Sequence, residues 1–341
     1  MLRRGFGLAT CVALLVSACG DDHEPRDPSQ YFHPPDAGAT EALPDAPGAD
    51  PEVRIAWFGH SLVQRPGDVP IDLPKLVADL HHAARIDGRT RIAERPPRAF
   101  TLLNRHLGHH LDGPGDAEAA LRTLGAEGVT HVVGIGFMHM LGEGWFARPT
   151  LGLWLQRIGL SGFDSPRRHT EHVYRFMALM KQHAPRATWV SYVGPALANN
   201  IVPQPAIDAR YACIEQTAHG AGMHALSAHV GHAFRSAEQR GASRPELALK
   251  LNTDDSLHLS PQGAVLAASV LYQRIYGVDP VGLTVPGPYY QDLGAGDDAR
   301  RAVARFLQEV ARDTNATYAP PCDDAALLPE DARARNQLGA R

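Results

Sequence analysis

Short apolar runs alternate with amphipathic helical segments along most of this chain, and this alternation constrains the fold more than any other feature. Each run is short and bounded by Gly, Pro or polar residues, which is typical of a buried strand. Strands that are apolar on both faces need helices on both sides of their sheet. The pattern therefore predicts an α/β fold, a three-layer α/β/α sandwich around a central parallel sheet. The expected strands are 53–58, 89–94, 129–135, 187–193 and 223–227.

Helices are expected between these strands, wherever apolar residues recur at helical spacing. The clearest boundary is at Ser260, a good N-cap residue that Pro261 follows at the first helical position. In folds of this class, ligands bind beyond the carboxyl ends of the strands. Residues that directly follow a strand are therefore the first candidates for a functional site. The expected helices are 70–85, 117–126, 164–183, 205–220, 229–240, 261–276 and 297–313.

Two short motifs, far apart in the sequence, supply the groups that acyl transfer needs. Ser61 follows the first apolar run, and Asp255 stands three residues before His258 near the other end of the predicted sheet domain. A serine hydroxyl becomes a nucleophile when an imidazole accepts its proton, and a carboxylate holds that imidazole in the right tautomer. We interpret Ser61 as the nucleophile, His258 as the base and Asp255 as the residue that orients the base. Asp254 competes for the last role.

These motifs resemble the first and last blocks of the SGNH (GDSL-type) hydrolase superfamily. The resemblance rests on Gly59-His60-Ser61-Leu62, on Asp255-x-x-His258 with its continuation to 263, and on the segment 276–283. It covers roughly residues 53–285 and is similar to bacterial members with a Gly-His-Ser-Leu or Gly-Asn-Ser first block. It implies a flavodoxin-like three-layer fold. It also implies hydrolysis of ester or acetyl-ester bonds without a metal or an organic cofactor.

The middle blocks depart from the family's pattern. The second block normally contributes a Gly backbone N–H to the oxyanion hole, but the segment 97–101 has no Gly, so the resemblance leaves this role to the N–H of Ala99. The third block normally contributes an Asn side chain, and this chain offers His139 instead. The backbone N–H of Ser61 completes the expected set. Loss of one oxyanion donor costs about 10²–10³ in turnover, so the departures bear on activity and substrate more than on fold.

The N-terminus reads as a lipoprotein signal. Two arginines precede an apolar run that is too short to span a bilayer. The sequence Val16-Ser17-Ala18-Cys19 resembles a bacterial lipobox, which implies a signal peptide over residues 1–18 and acylation of Cys19. Several acyl chains make such an anchor stable. We expect export and lipid anchoring to the cell envelope, at the outer membrane in a Gram-negative host; an ordinary secretory signal is the alternative.

Composition divides the rest of the chain into three parts. Residues 19–50 are rich in Pro and Asp and lack apolar periodicity, which predicts a disordered tether. Residues 51–315 form the expected SGNH hydrolase-like domain, and 316–341 a polar tail. After the signal, the domain and tail retain Cys213 and Cys322. In an oxidising compartment these cysteines can pair and tie the tail to the body, or they can remain thiols, and spacing alone does not decide.

Net charge and histidine content limit the kinds of partner and metal that the sequence predicts. The formal net charge is −4 and the basic residues are scattered, so nothing indicates nucleic-acid binding. The chain has 18 histidines, and His106, His109 and His110 would lie on one helix face at a spacing that can hold zinc. Asp112 is the one carboxylate in that motif. We therefore expect no metal, and keep a zinc site as an alternative.

Together these features predict a serine-dependent esterase. Its expected substrate is a small-molecule or polysaccharide ester, such as an O-acetyl group on a carbohydrate or an envelope polymer, and its membrane partner is reached through the N-terminal lipid. Two alternatives stay open. One is an acyltransferase that uses the same triad, and the other is a non-catalytic binding module with a degenerate oxyanion hole.

Overall fold

The computed structural model describes residues 52–59, 63–65, 70–101, 107–112, 115–135, 166–195, 203–253 and 258–322. The described strands are β1 (Glu52–Val53), β2 (Ile55–Gly59), β3 (Gln64–Arg65), β4 (Ile71–Asp72), β5 (Ala93–Glu94), β6 (Arg98–Thr101), β7 (His131–Ile135), β8 (Thr188–Tyr192) and β9 (Ala225–Ala228). The described helices are α1 (Leu73–Ile86), α2 (Gly108–Asp112), α3 (Ala117–Ala126), α4 (Pro166–His183), α5 (Gln204–Gly220), α6 (Val230–Gly241), α7 (Pro261–Tyr276), α8 (Gly287–Gln291) and α9 (Asp297–Thr317), with a 3₁₀ turn at Pro245–Leu247.

Within these ranges, five strands form one parallel sheet in the order β6-β2-β7-β8-β9. Counted along the chain this order is 2-1-3-4-5, which is the flavodoxin-like arrangement. The strand order reverses between β2 and β7. In such sheets the ligand site lies at that reversal, outside the carboxyl ends of the two strands.

Helices cover both faces of the sheet, as β2 shows. Ile55 and Trp57 belong to a core cluster formed with α1, α6, α7 and α9. Ala56 and Phe58 belong to a second cluster, formed with α3, α4 and α5. Successive side chains of a strand point to opposite faces, so the two clusters lie on opposite sides of one sheet. This confirms the expected three-layer α/β/α fold.

The sequence-based prediction of the second strand is wrong. Residues 89–94 contribute only the short β5, which pairs with β1 outside the main sheet. The edge strand of the main sheet is instead β6, four residues further on, which is not among the expected strands. Arg98 and Ala99 of β6 are exposed. An edge strand needs no continuous apolar run, so the signal that marks buried strands is absent here.

The C-terminal part of the domain is held to the body by a disulfide. Helix α9 ends at Thr317, beyond the expected end at 313. The structure joins Cys213 of α5 to Cys322, which follows α9. Residues 318–322 therefore lie against α5. Among the described helices, none combines the length and the apolar character that crossing a membrane requires.

Candidate functional site

The structure describes only part of the predicted catalytic set. His258 and Ala99 lie within the described residues. Ser61, Asp255, His139 and Cys19 lie outside them, so their assignments stay predictions. The surroundings of the motifs are nevertheless described on both sides, at the end of β2 and at the start of α7.

The carboxyl end of β2 packs closely against Val63. A Cβ on Gly59 would lie 2.3 Å from Cγ2 of Val63, so a larger residue at this position would require one of the two to shift. The carbonyl of Val63 accepts the N–H of Leu73, the first residue of α1, at 2.9 Å. On the other side, Nε2 of buried His110 lies 3.2 Å from the carbonyl oxygen of Gly59 and donates to it. Ser61 follows this strand end by two residues.

Residues 251–253 and 258–260 pair in antiparallel fashion, and we call these two described segments the His258 hairpin. The carbonyl of His258 accepts the N–H of Thr253 at 2.8 Å and the Thr253 hydroxyl at 3.2 Å. Next to this pair, Asn252 and Leu259 form an antiparallel bridge. Thr253 and His258, which flank the predicted orienting carboxylate Asp255 and its competitor Asp254 in the sequence, are therefore held close together. The His258 residue itself is half-buried.

The first turn of α7 holds this hairpin in place. Ser260 caps the helix as expected, because its hydroxyl oxygen accepts the N–H of Gly263 at 3.1 Å. A Cβ on Gly263 would lie 1.9 Å from the carbonyl oxygen of Leu251, so the hairpin packs directly on the helix backbone. Nε2 of Gln262 donates to the carbonyl of Leu293, 3.1 Å away. Leu293 follows α8 closely, so α7 is tied to that helix.

Further hydrogen bonds connect α8 to the end of the sheet. Tyr289 of α8 accepts the backbone N–H of Asp72 at 2.8 Å. The Asp72 carboxylate accepts the side-chain amide of Gln64 at 3.3 Å, and the amide oxygen of Gln64 accepts the hydroxyl of Thr101 at 2.9 Å. Thr101 ends β6 and is level with Gly59 of β2. A connected set of contacts therefore runs from the His258 hairpin to the carboxyl ends of β6 and β2.

The register of β6 bears on the predicted oxyanion donor. Ala99 is level with Trp57, whereas Thr101 is level with Gly59 at the strand end. Two residues of strand correspond to about 6.6 Å, so Ala99 lies that far below the rim of the sheet. The Ala99 assignment stays a prediction, and the register does not favour it.

The histidine motif has a structural explanation for one member. The His110 ring donates to the Gly59 carbonyl and packs edge-on against Phe58, with ring centroids 5.6 Å apart. His106 and the His109 side chain lie outside the described residues. In the described part of the chain, no group of three or more His, Cys, Asp or Glu residues is arranged to hold a metal ion.

A second polar cluster lies at the end of β9, away from both sequence motifs. His229 directly follows β9, and its Nδ1 lies 3.0 Å from the carboxylate of Asp208 in α5. The hydroxyl of Tyr318 donates to the other oxygen of that carboxylate at 2.8 Å. The only sequence signal for this cluster is the position of His229, a polar residue just after a predicted strand.

Comparisons with known proteins add two structural likenesses. No protein-family model matches the chain, and no curated protein matches it. A crystal structure of a DUF4886 family protein from Bacteroides uniformis ATCC 8492 is similar at 11% identity, with a TM-score of 0.44 over 78% of this chain and 95% of that one. LAE5, described as an α/β hydrolase from the metagenome of Lake Arreo, Spain, is similar at 11% identity, with a TM-score of 0.41 over 65% and 94%. At these values neither likeness carries a conclusion about function.

Proposed function

We propose that the chain is a serine-dependent ester hydrolase in which Ser61 is the nucleophile, His258 the base and Asp255 the residue that orients the base. One observation carries the proposal. The hairpin that bears His258 is connected through α7 and α8 to the carboxyl end of β6. The neighbouring strand β2 ends two residues before Ser61. The expected ligand position in this sheet, where the strand order reverses between β2 and β7, is the same rim.

The proposed reaction proceeds in two proton-balanced steps. The Ser61 hydroxyl attacks the ester carbonyl while His258 accepts its proton, and the imidazolium then passes that proton to the departing alcohol. In the second step His258 takes a proton from water, whose oxygen attacks the acyl-enzyme, and returns it to Ser61 as the acid leaves. The Asp255 carboxylate stabilises the imidazolium in both steps and stays ionised.

We further propose an exported, lipid-anchored enzyme that acts on esters of carbohydrate or envelope polymers. The acyl anchor at Cys19 rests on the lipobox resemblance alone. The disulfide between Cys213 and Cys322 supports an exported protein, because disulfides persist in oxidising compartments and are rare in the cytosol. In the expected substrate, the ester that is cleaved is an O-acetyl ester.

A fluorophosphonate probe tests the proposal, because it reacts covalently with activated serines. We expect the purified chain to be labelled and Ser61→Ala to lose labelling completely. Ser243→Ala is the matched control, since Ser243 is exposed and its hydroxyl donates to the nearby Arg240 carbonyl. Labelling that persists in Ser61→Ala contradicts the assignment. A wild-type chain that is folded but never labelled favours a binding module.

Product analysis separates hydrolysis from transfer. With an O-acetylated polysaccharide as donor, we expect release of free acetate that is independent of added sugar acceptor. Acetate release that falls while the acceptor becomes acetylated identifies an acyltransferase instead. His258→Gln should abolish both labelling and acetate release, because it removes the group proposed to take the serine proton.

A further inference from the structure

The cluster at the end of β9 contains a fully buried carboxylate that is held by three donors. Oδ1 of Asp208 lies 3.0 Å from Nδ1 of His229 and 3.1 Å from the side-chain amide nitrogen of Gln204. Its Oδ2 accepts the Tyr318 hydroxyl. The Asp208 side chain is 0% exposed, so these three donors stand in for the water that the carboxylate loses on burial. These bonds fix the ring orientation of His229 and keep its proton on Nδ1.

The other ring nitrogen of His229 is Nε2. In the described part of the chain, Nε2 of His229 makes no hydrogen bond, although the side chain is only 9% exposed. The residue lines a cavity of about 420 Å³ between α5 and the end of α9. His229 therefore combines a carboxylate partner on Nδ1 with a position in a cavity wall, whereas buried polar groups are normally paired within the protein.

The cavity walls carry both donors and acceptors and little net charge. Glu215 and Arg274 lie across from one another with 3.6 Å between their charged groups. Gln216 and Asn315 add side-chain amides, and Tyr318 adds an aromatic ring. The ring of Tyr318 is itself fixed, because it stacks on His232 with centroids 3.4 Å apart. The disulfide at Cys322 holds the wall that follows α9 against α5.

We propose that this cavity is a carbohydrate-binding site in which Nε2 of His229 bonds a sugar hydroxyl. A hydroxyl both donates and accepts, so it satisfies an imidazole nitrogen, a carboxylate and an amide alike. The Glu215–Arg274 pair balances the charge of the cavity wall, which favours a neutral polyol over a charged ligand. The cavity volume falls within the range of about 300–1,000 Å³ that is typical of small-molecule sites.

The site stands on its own geometry and does not depend on the proposed esterase. It is at the carboxyl end of β9, three strands from β2 in the sheet. At about 4.8 Å per strand, that separation is about 14 Å, which is too far for one bound sugar ring to bond His229 while its own ester reaches the end of β2. The binding test below therefore reads out nothing that Ser61 contributes.

Isothermal titration of the purified chain with four trisaccharides, namely chitotriose, cellotriose, xylotriose and maltotriose, tests the proposal. We expect at least one to bind, and His229→Gln to weaken that binding by about 3- to 10-fold, the loss expected for one hydrogen bond. His224→Gln is the matched control, since His224 is exposed and outside the cavity, and should bind as wild type does.

A second measurement keeps the test valid if His229→Gln does not fold. In wild-type protein with ¹⁵N-labelled histidine, the bound sugar should shift the His229 Nε2 resonance and leave that of His224 unchanged. Absence of binding by all four sugars at about 10 mM overturns the proposal. Binding that His229→Gln leaves unchanged overturns it too. Binding of acetate or phosphate in place of any sugar identifies an anion site and also overturns it.

Discussion

Replacing both cysteines of the disulfide, Cys213→Ser with Cys322→Ser, should lower the free energy of unfolding substantially. The bond closes a loop with a sequence separation of 109 residues, and the chain-entropy relation gives about 4.8 kcal/mol for a loop of that length. Native disulfides measured in other proteins contribute about 2–5 kcal/mol, so the expected loss lies in that interval.

Other contacts hold residues 318–322 in place without the disulfide. The hydroxyl of Tyr318 bonds the buried Asp208 carboxylate, and its ring stacks on His232. A hydrogen bond to a charged group contributes about 1.5–3 kcal/mol, and these contacts do not need the disulfide. We therefore expect the tail to stay docked in the folded double variant. The loss of stability then comes from the greater freedom of the unfolded chain.

Urea unfolding followed by far-UV circular dichroism measures the effect. Oxidised wild type should be more stable than the double variant by about 2–5 kcal/mol, and its m-value should be smaller because a cross-linked unfolded chain exposes less surface. Reductant should lower wild type to the level of the double variant and should leave the double variant unchanged. A double variant that unfolds within about 0.5 kcal/mol of oxidised wild type refutes the reasoning.

Two further perturbations test the packing and the electrostatics. Gly263→Ala should lower the free energy of unfolding in urea by about 1–3 kcal/mol, since its Cβ would lie 1.9 Å from the Leu251 carbonyl oxygen. Gly287→Ala is the control: a Cβ there has nothing within 4 Å, so the free energy of unfolding should change by less than about 0.5 kcal/mol. Burial lowers the pKa of His131 from 6.5 to about 4. Between these pH values the unfolded chain binds more protons at His131 than the folded chain does. The free energy of unfolding therefore falls as the pH drops from about 6.5 to 4. The loss of unfolding free energy from this group amounts to at most about 3 kcal/mol. The urea midpoint of wild type should therefore fall between about pH 7 and pH 5, and that fall should be smaller in His131→Gln. A fall of the same size in both proteins assigns the pH dependence to other groups.

Local signals were enough to predict most of the fold. Strands β2, β7 and β8 are buried along nearly their whole length, so each is a continuous apolar run. Helix α7 has the bounds that its Ser260 cap and 3.6-residue spacing predict. Strand β6 could not be found in this way, because an edge strand has one open side and its residues are partly exposed.

The two candidate sites also differ in how far the sequence predicts them. The triad residues could be proposed from residue types, because a Gly-x-Ser after a strand and an Asp-x-x-His before a helix are short patterns. The Asp208, His229 and Tyr318 cluster joins positions that are 21 and 110 residues apart. Nothing in the sequence near Asp208 indicates that a tyrosine beyond the last helix will bond it. Such a cluster becomes visible only when the fold brings the three segments together.

Both proposed sites lie at strand ends for a physical reason. Within the sheet, helices cover both faces, so interior strand positions are apolar and buried. Polar groups can converge only where the chain leaves the sheet, and His229, the residue between β9 and α6, occupies such a position. Thr101 and Gly59 mark the same rim at β6 and β2. Ala99, two residues inside β6, lies below that rim, so a backbone donor for a charge developing near Ser61 should come from the chain after Thr101.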